Sequence, residues 1–331
     1  MAPAERFRID IVAPDVWNRF LETADGATIF SHAEWMATAA QASGAESRLL
    51  GAWDGDHLVA GVAGVSTGSG WRRRFSTPDL SPHTGFLFRP STTDRPAHIE
   101  SERSGATGAL LEHLQANNAR IHLTHSPSLV DAREFVWAGW QVQPRYTYQI
   151  ELPEDRTPVW DGFERRTRTA VRKAEKAGFR VEASNDAVEL RRLYGQVYGG
   201  EERAPVAGNI VEKMVELALE TGRAEGWRCQ APSGATAAVV FFVPDGDTLY
   251  AWVAGADPAQ RDSGATSLLY WKVMESSPCS RFDFVGANLA AIAFFKRGFG
   301  GLLVPYFATE GFGHPLLRTA VGLRRAIRRL S

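Results

Sequence analysis

One lysine stands out by its setting. Lys296 lies in the stretch 281–307, RFDFVGANLAAIAFFKRGFGGLLVPYF. Residues 282–285 read as a short buried strand carrying one carboxylate, and Gly286, Ala287 and Asn288 turn the chain. Residues 289–295 read as a short helix, 296–301 break it, and 302–307 return as an apolar strand. That order puts Lys296 at a helix end beside a sheet, where one ammonium stabilises a developing oxyanion. Asp283 and Asn288, at the strand end and the turn, are placed to orient the lysine or an acceptor. Asp283 reads equally well as a hydrogen-bonded strand-end carboxylate. Tyr250, Trp252 and Phe295 wall a cleft or fill the core, and Arg145 with Tyr146 are candidate acceptor contacts. No Ser-His-Asp order, metal-ligand cluster or P-loop accompanies them, and no general base stands out.

A second set of candidates is basic. Thr157-Pro158 opens a helix that the pattern carries through to Lys176, with Gly178 as its C′ residue. Trp160, Phe163, Thr167, Ala170, Val171 and Ala174 form its core-facing stripe. Arg165, Arg168, Arg172 and Lys176 share another face, flanked by Arg166 and Lys173. Only Glu164 and Glu175 oppose them, so the helix carries self-repulsion. Such a face is either solvated or built for a phosphate backbone, in which case binding is salt-sensitive. Arg297, beside Lys296, joins this set.

The elements that position these groups alternate strand and helix along the chain, which argues for an α/β or mixed sheet. Ser31 and Glu34 predict a capping box at the start of a helix reaching about Ala42. Strands at 49–53 and 58–65 flank an Asp54-Gly55-Asp56 turn. Residues 68–82 form a glycine-rich loop with Arg72, Arg73 and Arg74, and 89–105 read as loop. A helix follows at 106–116, a strand at 120–124, and a helix at 131–138 packing Phe135 and Trp137. Residues 145–152, RYTYQIEL, alternate with period two and mark a domain junction. Beyond the basic helix come a strand, two helices, a three-stranded meander, a loop and a helix leading into 281–307. The hairpin at 49–65 is echoed in pattern at 227–243, which suggests two related halves.

The chain's 331 residues suit roughly two domains, and 44% hydrophobic with 23% charged residues is ordinary for a globular protein. A net charge of −1 gives no global attraction for nucleic acid, so any such contact needs a local patch. Two cysteines, Cys229 and Cys279, provide neither a disulfide framework nor a zinc site and suggest a reduced, cytoplasmic setting. The N-terminus lacks the pattern of a signal peptide, and no apolar run approaches the ~20 residues of a membrane helix.

Several of these stretches resemble the Fem-type (FemABX-like) branch of the GNAT acyltransferase superfamily. The carriers are FDFVGAN with FKRGFG, the opening FSHAEWM with LLGAWDGDHLVAGVAG, the junction RYTYQIEL, and the basic RRTRTAVRKAEKAG. One departure is Val285-Gly286, where two glycines are usual. The resemblance implies two tandem GNAT-like domains with a cleft between them, 1–144 and a catalytic 145–310. The basic amphipathic segment 312–331 would dock on the first. It further implies an aminoacyltransferase that takes aminoacyl-tRNA as co-substrate, with no bound cofactor, and forms an amide on a small-molecule or peptide amine. Lys296 would face the reacting ester, and the basic helix would contact tRNA.

An acyl-CoA enzyme would instead hold pyrophosphate on a loop of pattern Q/R-x-x-G-x-G/A. Here that loop reads Arg261-Asp262-Ser263-Gly264-Ala265-Thr266, with Thr266 where a small residue belongs and Asp262 adding negative charge. Acyl-CoA is therefore the alternative donor, and a non-catalytic RNA- or peptide-binding protein a further alternative.

Overall fold

A computed structural model describes residues 6–313, so the expected helix over 312–331 lies almost wholly outside the described residues. The chain divides into two compact units, one running to Arg145 and resuming at Pro305, the other Tyr146–Val304.

The first unit comprises β1 (Arg8–Ile11), α1 (Pro14–Leu21), α2 (Ala33–Ser43), β2 (Glu46–Asp54), β3 (His57–Thr67), β4 (Arg74–Ser76), β5 (Phe86–Phe88), α3 (Pro96–Asn117), β6 (Arg120–Thr124) and α4 (Arg133–Trp137). β7 (Gln141–Glu151) crosses the boundary. Strands β1, β2, β3 and β4 pair antiparallel, β4 pairs parallel with β6, and β5 pairs with β3. Residues 308–312 add a strand antiparallel to β6. One core cluster joins Leu50, Ala60, Val62, Phe86, Leu110, Leu114, Ile121 and Phe135.

Four expectations for this unit need correction. The glycine-rich loop expected over 68–82 contains β4, which its three pairing residues were too few to announce. No capping box forms at α2: its N-cap is His32, and the Ser31 hydroxyl donates to the carbonyl of Thr84. Asn18 of α1 takes over, accepting from the Ala33 N–H at 3.1 Å and donating to Glu34 at 2.8 Å. The supposed loop before residue 106 contains the first ten residues of α3. They are mostly polar and largely exposed or half-buried, so no apolar stripe announced them. Phe135 is buried as expected, but Trp137 is 66% exposed, with Arg133 above its ring.

The second unit follows as α5 (Thr157–Gly162), α6 (Arg165–Lys176), β8 (Arg180–Ala183), α7 (Ala187–Val197), α8 (Gly208–Glu220), β9 (Glu225–Gln230), β10 (Thr236–Asp245), β11 (Thr248–Ala256), α9 (Ala265–Ser276), β12 (Arg281–Asp283) and α10 (Ala290–Arg297). The last strand, β13 (Leu302–Phe312), crosses back into the first unit. β8, β9, β10 and β11 pair antiparallel, β11 and β12 parallel, and β12 antiparallel with β7. α5, α6 and α9 cover one face through Phe163, Val171, Ala174, Leu268 and Leu269, packed on Ala238, Val240 and Phe242. α7 presses on the other face: a Cβ at Gly255 would lie 2.7 Å from Leu193 and 2.9 Å from the Tyr194 nitrogen. Only glycine permits that approach.

The helix expected over 157–176 is two helices. Phe163 and Glu164 adopt extended backbone between α5 and α6. The Glu164 N–H donates to the Gly298 carbonyl, and the Arg168 guanidinium caps the carbonyls of Asp161 and Phe163. These bonds satisfy much of the backbone that the break exposes.

Candidate active site

The site is built where a parallel pairing stops. β12 pairs with β11 for three residues, ending at Tyr250 and Asp283, while β11 continues to Ala256. The strand ends at Asp283 rather than Val285, and residues 284–288 leave the sheet in a tight turn. Val285 has φ +52° and Gly286 φ +81°. A β-branched residue in the left-handed region is strained, and neighbours must hold it there.

Both ends of that hold are visible. Asp283, buried, accepts at Oδ1 from the Thr147 hydroxyl at 2.6 Å and the Val285 N–H at 2.7 Å, and at Oδ2 from Gln149 at 2.8 Å. From the other side the Lys296 ammonium donates to the carbonyls of Phe284 (2.6 Å), Val285 (3.1 Å) and Gly286 (2.6 Å). Lys296 sits in the last turn of α10, whose helix runs two residues further than the sequence suggested. Part of its side chain is open to solvent, yet the charged end is enclosed by the turn. Desolvation pulls its pKa down to about 8, and the Asp283 charge opposes that fall. Lys296 thus forms no carboxylate ion pair among the described residues. Its three donors are spent on one strained turn.

Asn288 belongs to the same assembly: its Oδ1 accepts from the Tyr146 N–H at 2.9 Å, and the Ala287 N–H donates to the Tyr146 carbonyl at 2.6 Å. Tyr146 itself is partly exposed. Arg145, the last residue before the unit boundary, donates to Gln143. Tyr250 pairs in register with Asp283; burial first and that carboxylate second push its hydroxyl pKa up. Trp252 is also buried. Phe295 packs on Tyr270 and Phe299 in an aromatic group that includes Phe284, directly under the turn.

The basic set is divided in its duties. Arg168 caps α5, Lys173 donates to the Asp262 carbonyl at 2.6 Å, and Arg297 pairs with Glu164 at 3.2 Å. Arg172 lies 5.4 Å from the Trp160 ring centroid. Arg165 and Lys176 are exposed and make no hydrogen bond or ion pair among the described residues.

Sequence reasoning missed the roles of four residues. Thr147 and Gln149 hold Asp283, and their polar alternation in β7 opposite an aspartate was the available signal. Glu164 gathers Arg166 and Arg297. Arg166 bonds the Phe294 carbonyl and covers the Phe294 ring at 3.6 Å, tying α6 to α10. Nothing in the local pattern marks those two contacts.

Residues 162–297 match the acetyltransferase (GNAT) domain family. Among solved structures, FemX aligns over 91% of this chain and 96% of its own, at 13% identity and TM-score 0.63. A tandem GNAT protein from the clavulanic acid biosynthesis pathway aligns over 93% and 99%, at 11% identity and TM-score 0.54. A conserved Bacteroides thetaiotaomicron protein of unknown function aligns over 92% and 99%, at 11% identity and TM-score 0.57. No curated protein matches the sequence. No helix of the described residues is long and apolar enough to cross a membrane, and no group of three or more potential metal ligands occurs among them. Residues 162–297, with the Lys296 turn at their end, accordingly match a GNAT domain, and the chain as a whole has a tandem GNAT-like fold similar to that of FemX.

Proposed function

We propose that the protein is an aminoacyltransferase that moves an aminoacyl group from aminoacyl-tRNA to an amine of a small metabolite or peptide, making an amide. The observation that carries this reading is the close packing of α6 against the start of α9. Gly264, in the left-handed conformation at its N-cap, lies so close to α6 that a Cβ there would sit 2.1 Å from the Ala170 carbonyl. Lys173 of α6 then donates to the Asp262 carbonyl in the same loop. An acyl-CoA would need its pyrophosphate at that helix start. The close approach of α6 to Gly264 supports a donor that carries its phosphates elsewhere and leaves the loop undisturbed.

In the reaction the acceptor nitrogen attacks the ester carbonyl carbon, and a tetrahedral oxyanion forms. Lys296 exchanges its longest bond, to Val285, for one to that oxygen. The C–O bond to the ribose then breaks, the ribose oxygen takes a proton, and the amine loses one. A donor of this kind is worth about 10²–10³ in rate. A second reading, acyl-CoA-dependent N-acylation, draws on the match of 162–297 to the acetyltransferase domain family.

Parallel reactions decide between them, with charged tRNA or acyl-CoA as sole donor, each with and without RNase, and mass spectrometry of the product. Product from charged tRNA that vanishes with RNase is the expected result. Product from acyl-CoA that survives RNase overturns it.

A further inference from the structure

Beside the basic face of α6 lies an open depression of about 390 Å³, within the ~300–1,000 Å³ of small-ligand sites. Two tryptophans contribute to its lining: the Trp160 ring is tilted 48° to the buried Trp271 ring at 5.1 Å, and the exposed Arg172 guanidinium lies 5.4 Å from the Trp160 centroid. Charges around it balance, with Arg156, Arg172 and Lys272 against Asp155, Glu175 and Glu275. Most are already engaged. Asp155 accepts from the Thr157 N–H, Arg156 donates to the carbonyls of Leu152, Met274 and Ser277, and both glutamates share Lys272. Arg172 makes no hydrogen bond or ion pair among the described residues. The hollow therefore suits a flat, uncharged, stackable group, with unengaged cations beside it on α6 at Arg165 and Lys176.

We propose that this depression seats an unpaired base near the 3′ end of the donor RNA, with neighbouring phosphates on Arg172, Arg165 and Lys176. The inference rests on the aminoacyl-tRNA reading and deepens it. α6 provides the geometry. Its Thr167 touches Gly298, next to the end of α10 that bears Lys296. Arg172 lies five residues further along, about 7.5 Å of helix rise. One helix thus joins the reacting end to the stacking seat.

The test uses a labelled RNA minihelix with a short single-stranded 3′ overhang and the same helix made blunt, with binding followed by anisotropy. The wild type should prefer the overhang. Trp160→Leu should weaken overhang binding about tenfold and leave the blunt RNA unchanged, while Trp160→Phe keeps most of the affinity. Arg172→Gln should lower the salt slope by about one. Overhang binding unchanged in Trp160→Leu, equal losses for both RNAs, or no overhang preference in the wild type would each overturn the seat. The donor reading is judged separately. Wild-type-like binding by Trp160→Leu, with product still formed from charged tRNA, removes the seat and leaves the donor. Absence of product from charged tRNA removes the donor reading whatever the variants bind.

Discussion

At the scale of single residues, Lys296 has two duties whose pH dependences run in opposite directions. Transfer needs the ammonium, so the rate should fall as pH rises through about 8. Stability behaves otherwise. The folded-state pKa lies below the ordinary 10.5, so between those values the unfolded chain binds more protons, and folding should gain stability as pH rises. Rate profiles and urea titrations between pH 7 and 10 should diverge in wild type, and the stability gain should vanish in Lys296→Met. Asp283→Asn should lower the Lys296 pKa further, because the carboxylate is what opposes desolvation. It also sets two amide donors, from residues 149 and 283, against each other, at a cost of about 1–3 kcal/mol. The falling limb of the rate profile should then shift to lower pH. Lys296 and Asp283 were legible because their side chains are conspicuous in an apolar stretch. The partners of Lys296 were not, because backbone carbonyls leave no mark in a sequence.

At the scale of elements, α6 does more than its composition suggests. Its apolar stripe was readable, but Phe163 continued that stripe across the break and so hid it. Its cations looked equivalent, yet Arg168 and Lys173 act as caps on neighbouring segments while Arg165 and Lys176 face solvent. The fit of α6 to α9 depends on one missing methyl group. Gly264→Ala should force the two helices apart or strain the left-handed N-cap, and lower stability by about 1–3 kcal/mol in denaturant titration. A change below a few tenths of a kcal/mol would show that the start of α9 is roomier than it looks, and would weaken the case against an acyl-CoA donor.

At the scale of the molecule, the alternation of strands and helices was readable from period and turns, and the order of elements in Tyr146–Val304 followed it closely. What escaped notice depends on contacts distant in sequence, such as Asn18 capping α2 and the polar first half of α3. The first unit carries its own pH sensitivity. His125 is fully buried, with Nδ1 facing the Phe86 N–H and Nε2 2.8 Å from the Thr309 hydroxyl. Burial, then His122 and His83, depress its pKa to about 3. The neutral ring is required, so its contribution is complete above pH 6.5 and is lost progressively toward 3. Urea titrations from pH 7 to 4 should show falling stability, with a slope shallower by up to one proton in His125→Asn.

The torsion at Val285 bears on how any change at position 296 is interpreted. The turn does not rest at its own minimum; it is pulled into shape from Asp283 below and Lys296 above. Cutting the upper tether releases a loaded spring as well as deleting a charge, so an inactive Lys296→Ala protein speaks for neither cause alone. Pairing it with Val285→Gly, which slackens the spring in advance, separates the two: recovered activity assigns the defect to shape, and continued silence assigns it to charge.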